Sequence, residues 1–201
     1  SGVMITGSHN PKNYNGFKIV INDSPVSGIE MLDLISDKKN YSKNPASEII
    51  KVDLMDEYIS EVRAQASKSS KKIKVVVDCG NGSAGKIAAK LMRELGYEVV
   101  ELFCEIDGNF PNHHPDPGKL ENLQDLIKIV KKENADLGIA FDGDGDRLGV
   151  VTNLGKVIYP DQLMMIFSRG ILQNNQGKEI VFDVKCTNLL AEIISEAGGI
   201  P

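Results

Sequence analysis

Two apolar runs near the start, Gly2–Thr6 and Lys18–Ile21, flank a polar stretch from Thr6 to Asn15, and both read as strands. A turn with Asp23, Pro25 and Gly28 leads into a predicted helix over Ile29–Lys38. Lys39–Ala46 is polar, carries Pro45 and reads as a loop. Leu54, Tyr58, Ile59 and Val62 recur at helical spacing within Leu54–Ala66, and Ser67–Lys72 reads as a solvated connector. The next section is more regular. Ile73–Val77 is a β-branched strand, Ala84–Leu95 an amphipathic helix closed by Gly96, and Glu98–Phe103 a strand. Leu123, Leu126, Ile127 and Val130 share one side of a helix over Leu120–Glu133, and Leu137–Phe141 is a third strand. Leu148–Val151 and Lys156–Tyr159 form a hairpin about Asn153–Gly155. A helix (Asp161–Leu172, with Met164–Phe167 in its core), a strand (Glu179–Val184) and a helix (Leu189–Ala197) follow.

Strands alternating with helices predict an α/β fold of three-layer αβα domains with mixed, mostly parallel sheets. Residues 1–53 read as the closing part of one domain, 54–155 as a complete domain, and 156–201 as the opening of a third. Both ends look abrupt, so the expectation is a piece of a longer chain whose remaining domains are its partners.

Composition narrows the class. With 41% hydrophobic and 25% charged residues, the chain can bury a core. A net charge of -5 argues against nucleic acid as a partner, and no apolar run approaches the roughly 20 residues that span a bilayer. Cys79, Cys104 and Cys186 are odd in number, far apart in sequence and without metal-type spacing. Reduced thiols in a cytoplasmic protein are expected.

The most informative stretch is Asp142–Arg147, DGDGDR, directly after an apolar strand. Residues two apart in an extended chain face one side, so Asp142, Asp144 and Asp146 are predicted to converge. Three clustered carboxylates repel unless a cation sits among them. Oxygen ligands suit a hard divalent ion, and Mg²⁺ is favoured if a phosphate shares the site. An EF-hand is excluded, because Arg147 stands where that loop needs Gly and Asn153 where it needs Glu. Arg147 either holds a phosphate oxygen beside the ion or balances the aspartates internally.

TGSHNP, Thr6–Pro11, is ambiguous alone: a structural turn and an acyl-transfer serine are both conceivable, although the hydrolase pattern G-x-S-x-G is absent. Paired with the acidic loop it gains a chemical meaning. A phosphorylated Ser8 would be a competent phosphoryl donor where a metal, Arg147, His9 and Lys18 neutralise its oxygens and relay protons.

The stretches GVMITGSHNPKNYNGFKIV, FPNHHPDP, FDGDGDRLGVVT and VFDVKCT together resemble the α-D-phosphohexomutase family, most closely its phosphomannomutase/phosphoglucomutase branch. The resemblance spans essentially the whole chain, and it implies the following roles. Ser8 matches the phosphoryl-carrying serine, and Asp142, Asp144 and Asp146 match Mg²⁺ ligands, with a phosphoserine oxygen completing the set. Arg147 matches a phosphate contact, while His9, Asn10 and Lys18 line the same centre, Lys18 as a candidate for proton transfer. Lys185 resembles a further active-site cation. The implied reaction is an isomerase reaction on hexose phosphates: phosphoserine donates to the sugar phosphate, a 1,6-bisphosphate forms and reorients, and phosphate moves between C1 and C6. Glucose 1,6-bisphosphate is the implied activator. The resemblance implies a four-domain pattern, against which the start of the first domain, most of the third and the fourth are expected to lie outside this chain, and poor turnover in isolation is expected.

Two motifs carry less. Asp78–Gly85, DCGNGSAG, lacks the spacings of nucleotide-binding loops and reads as strand-to-helix packing. Phe110–Pro117, with His113, His114 and Asp116, reads as a rigid packing or interface loop rather than a metal set. Rival readings are a haloacid-dehalogenase-type phosphatase using Asp142 as nucleophile, and a metal-dependent sugar-phosphate binding module without chemistry. Against the phosphatase, Asp146 stands where that family has Thr.

Overall fold

The computed structural model describes residues 1–36, 48–66 and 71–201. The expected loop at Lys39–Ala46, the end of the first helix at Asp37–Lys38 and most of Ser67–Lys72 lie outside the described residues.

The first unit is a three-stranded antiparallel sheet, β1 (Gly2–Ile5), β2 (Phe17–Ile21) and β3 (Ser24–Pro25), followed by helix α1 (Gly28–Ser36). Its register sets Gly2 against Val20 and Ile5 against Phe17, so the polar stretch becomes the connection of a long hairpin. None of the sheet's residues is buried.

The second unit opens with helix α2 (Met55–Gln65) and contains β4 (Lys74–Asp78), helix α3 (Ala88–Glu94), β5 (Glu98–Leu102), helix α4 (Gln124–Lys132), β6 (Leu137–Phe141), β7 (Leu148–Thr152) and β8 (Val157–Ile158). The strands are ordered β5-β4-β6-β7-β8. Parallel pairing is confined to β5-β4-β6; β6-β7 and β7-β8 are antiparallel, as short connections require. Alternation along β4 explains the layering. Val75 and Val77 pack with Ile139, Val150, Ala84 and Ala88 on the α3 side. Val76 packs with Ala140, Val151, Leu123, Leu126 and Val130 on the α4 side. A strand covered on both faces reads as a continuous β-branched run, and Lys74–Asp78 does. Two helices predicted as continuous begin as 3-10 turns, Ser83–Lys86 and Leu120–Leu123, a frequent form of helix terminus.

Helices α5 (Pro160–Leu172) and α6 (Leu189–Glu196) pack through Leu172, Leu190 and Ile194. The strand expected over Glu179–Val184 does not form. Only Glu179 makes a bridge, to Ile200, while Val181 and Val184 are 86% and 97% exposed. A strand needs a neighbouring ladder, and none flanks residues 180–184 among the described residues.

All three cysteines are free. Cys79 is buried, the others partly so, and Cys104 Sγ lies 3.3 Å from Cys79 Sγ despite their separation in sequence. Among the described residues no helix is long and apolar enough to cross a membrane.

Candidate active site

The acidic loop joins β6 to β7 at the carboxyl ends of the parallel strands, where open α/β sheets place their ligands. The three carboxylates do converge, with ligand oxygens of Asp142, Asp144 and Asp146 within 4.8 Å of one another. The cause differs from the extended chain that the spacing suggested. Gly145 N donates to Asp142 O (3.1 Å) and Asp142 N to Arg147 O (3.3 Å), so the segment is a turn. Gly145 sits at φ +79°, a region that side chains with a Cβ rarely adopt. The turn is held from below: Ser83 donates to Gly143 O through its backbone N (2.9 Å) and its Oγ (3.2 Å). Asp78–Gly85 is therefore a packing turn that also supports the acidic loop.

The serine loop closes on itself through Thr6 N to Gly16 O (3.0 Å), Asn10 N to Gly7 O (2.9 Å) and Tyr14 N to Pro11 O (2.9 Å). Ser8 has φ +51°, an uncommon conformation for a residue with a Cβ and one that clusters at functional sites. Its N–H donates to Thr6 Oγ1 (2.9 Å), and Thr6 Oγ1 donates onward to Asp144 Oδ2 (2.5 Å), 138 positions away. The loops touch at backbone level too. A Cβ on Gly143 would fall 2.3 Å from Ser8 O, so this approach requires glycine. Ser8 Oγ lies 3.1 Å from His9 Nδ1. Ser8, Asn10, Lys12, Lys18, Asp144 and Asp146 line one cavity of 470 Å³. Lys18 Nζ stands 3.9 Å from Asp146 Oδ2, and Lys12 Nζ donates to Asn109 Oδ1 (2.6 Å), tying the serine loop to the second unit.

Arg147 organises the negative charge. Its backbone N donates to Asp142 Oδ1 (3.1 Å), its Nε to Asp142 Oδ2 (2.9 Å) and its Nη1 to Asp116 Oδ1 (3.1 Å). Burial works against the ionised form of Asp142, but the Arg147 N–H and guanidinium outweigh it and hold the carboxyl below its usual range. Asp146 is pushed the other way, by desolvation and then by the charges of Asp142 and Asp144, with Lys18 only partly offsetting them. Two buried polar atoms of this site have no partner among the described residues, Asp144 Oδ1 and Arg147 Nη2. A buried carboxylate oxygen without a donor, beside two further carboxylates, fits a divalent cation with oxygen ligands, and the orphaned guanidinium nitrogen fits an anion.

The structure thus brings Ser8, His9, Asn10, Lys18, Asp142, Asp144, Asp146 and Arg147 together. Lys185 stands apart from them. It is exposed, pairs with Asp183 (3.2 Å), and lines a separate 710 Å³ cavity with Asp161 and Thr187. Among the described residues the aspartate triad is the only grouping of potential metal ligands, and His113 instead faces Asp78. Sequence reasoning gave no role to Thr6 or Lys12, and it set Asp116 aside with the Phe110–Pro117 loop. A hydroxyl two residues ahead of Ser8 was the only mark of the first, nothing local signals the second, and the motif around the third does not reveal its bond to Arg147.

Comparison with known proteins identifies the setting. A family model described as phosphoglucomutase/phosphomannomutase alpha/beta/alpha domain II matches residues 56–155, and its alpha/beta/alpha domain I counterpart matches 1–44. A phosphomannomutase/phosphoglucomutase of Pseudomonas syringae pv. tomato is 55% identical over 203 residues, covering 100% of this chain and 43% of the relative. A phosphoglucomutase of Neisseria gonorrhoeae is 48% identical over 202 residues, covering 99% of this chain and 44% of its own length. A crystal structure of a phosphoglucomutase/phosphomannomutase family protein from Burkholderia thailandensis matches with a TM-score of 0.92 at 46% identity, over 99% of this chain and 43% of that one. The chain spans less than half the length of these relatives. With both family models matched in order along it, the chain belongs to the phosphoglucomutase/phosphomannomutase family.

Proposed function

We propose that the chain supplies the phosphoryl-transfer centre of a phosphohexomutase, an isomerase acting on mannose and glucose phosphates through a phosphoserine and a 1,6-bisphosphate. The observation that carries this reading is the contact of the serine loop with the acidic loop, through Thr6 to Asp144 and through Gly143 against Ser8. On this reading Ser8 Oγ forms a bond to phosphorus as the sugar oxygen–phosphorus bond breaks. The hydroxyl proton leaves toward His9 Nδ1, which is within hydrogen-bond reach, and Lys18 serves proton transfer to the sugar oxygen. Asp142, Asp144 and Asp146 would hold Mg²⁺, which would offset the charge on the phosphoryl oxygens. Arg147 and Asn10 bind phosphate oxygens, and Lys185 is the cation offered to a substrate phosphate from the separate cavity. The division into 1–53, 54–155 and 156–201 belongs to this reading, as do a cytoplasmic setting, glucose 1,6-bisphosphate as activator and further domains as partners.

The test is the intact mass of the chain before and after incubation with glucose 1,6-bisphosphate and Mg²⁺. A gain of one phosphoryl group, absent in Ser8→Ala and after chelation of the metal, is expected. A wild-type chain that gains nothing, or a Ser8→Ala chain that gains the same mass, overturns the proposal.

A further inference from the structure

The Phe110–Pro117 loop, set aside as packing on sequence grounds, reaches into the site through one carboxylate. We propose that Asp116 is a positioning residue for phosphoryl transfer at Ser8: it fixes the plane of the Arg147 guanidinium, and the loop that carries it is the bracket that makes this possible. The proposal rests on the phosphoserine reading above and extends it to residues outside the metal and serine loops.

An arginine held by a single contact can still swing about its terminal bonds. Arg147 is held at two. Nε is fixed by Asp142 Oδ2 and Nη1 by Asp116 Oδ1, and two fixed nitrogens on a planar group determine the direction of the third. That third nitrogen, Nη2, is a buried donor with no acceptor among the described residues. Removing Asp116 leaves Asp142 to hold one edge and frees the far end of the fork. Because Asp142 is also one of the three clustered carboxylates, Asp116 is the anchor that can hold Arg147 without belonging to that cluster.

Asp116 is itself built in. Its N donates to His114 O (2.8 Å), and its carbonyl accepts from Asn122 Nδ2 (2.8 Å). Oδ1 also accepts from Gly118 N (3.2 Å). In the same loop His113 Nε2 pairs with the fully buried Asp78 Oδ2 (3.0 Å), and the His113 and Phe103 rings meet in a T-shaped contact. Asp78 closes strand β4, so the bracket is bolted to the central sheet.

Two variants separate positioning from mere loop integrity. Asp116→Ala removes the carboxylate; Asp116→Asn keeps an oxygen for Gly118 N–H but loses the charge that holds Arg147. The first readout is the rate of Ser8 phosphorylation by glucose 1,6-bisphosphate with Mg²⁺. Both variants should be slowed about 10- to 100-fold, the range seen when a supporting partner of a site residue is lost, with unchanged thermal unfolding for Asp116→Asn. In an Arg147→Ala background the same changes should add little, whereas a purely structural role would slow both backgrounds alike. The second readout needs no turnover. In the wild type the Arg147 Nη protons should give separate NMR signals, because rotation of the fork is blocked. In Asp116→Asn they should average. Identical Arg147 signals in the two proteins, or equal slowing in both backgrounds, overturns the inference. A wild type that takes no phosphoryl group counts against the phosphoserine reading instead, and the NMR comparison still decides the role of Asp116.

Discussion

At Gly143 a single hydrogen atom in place of a methyl group lets two loops meet. A Cβ there would stand 2.3 Å from Ser8 O, so Gly143→Ala must push the serine loop away from the carboxylates. Displacement of about 1 Å can cost on the order of 100-fold in rate. Gly143→Ala should therefore slow Ser8 phosphorylation by about that factor while the chain still folds; an unchanged rate would show that the approach is not needed. The residues of this contact differ in how readable they were. Asp142, Asp144 and Asp146 announce themselves by charge and spacing, and Ser8 by the family-like loop around it. Thr6 and Asp116 do not, because their bonds to Asp144 and Arg147 join distant parts of the chain and leave no local period.

At the scale of elements, periodicity served where one face meets a core. Leu123, Leu126 and Val130 are buried on the α4 side of the sheet as their spacing required. Leu126→Ala should destabilise the chain by about 2–5 kcal/mol, the range for a buried leucine, measured by urea unfolding; a loss well below 1 kcal/mol would contradict that packing. Periodicity failed at Glu179–Val184, where the β-branched pattern is present but the ladder is not, and in the acidic loop, where a turn does what an extended strand was expected to do. The bracket at His113 gives an element its own pH dependence. Burial opposes the charged imidazole, but the bond to Asp78, backed by the His114 carbonyl, raises its pKa above the ordinary 6.5. Asp125 adds to the same field. The folded state thus binds the proton more tightly, and this stabilisation is full below about pH 6.5 and lost as pH rises through the higher folded-state value. The stability difference between wild type and His113→Gln should shrink over that interval in unfolding titrations. A pH-independent difference would mean that the pair does not carry the charge assigned to it.

Across the whole molecule, burial is uneven. The five-stranded sheet is covered on both faces, whereas Val3, Ile5 and Phe17 of the smaller sheet are each more than half exposed. Backbone hydrogen bonds with so little apolar cover open at low free-energy cost. Amides of β1 and β2 should exchange with solvent orders of magnitude faster than those of β4 and β6, and equal protection would contradict the burial pattern. The same unevenness bears on activity. The chain matches less than half the length of its relatives, and Lys185 lines a cavity of its own rather than the Ser8 centre. Net interconversion of hexose 1- and 6-phosphates by the 201-residue chain alone should be slow or undetectable in a coupled assay, and ready turnover would refute that.

The proposed group-carrying atom is Ser8 Oγ, with the aspartates serving as a cage for charge. Peptide mapping of the chain after exposure to glucose 1,6-bisphosphate and Mg²⁺ tests it most directly. A phosphoryl group on the peptide containing Ser8, stable to acid, is the predicted result. An acyl phosphate on Asp142 would contradict it.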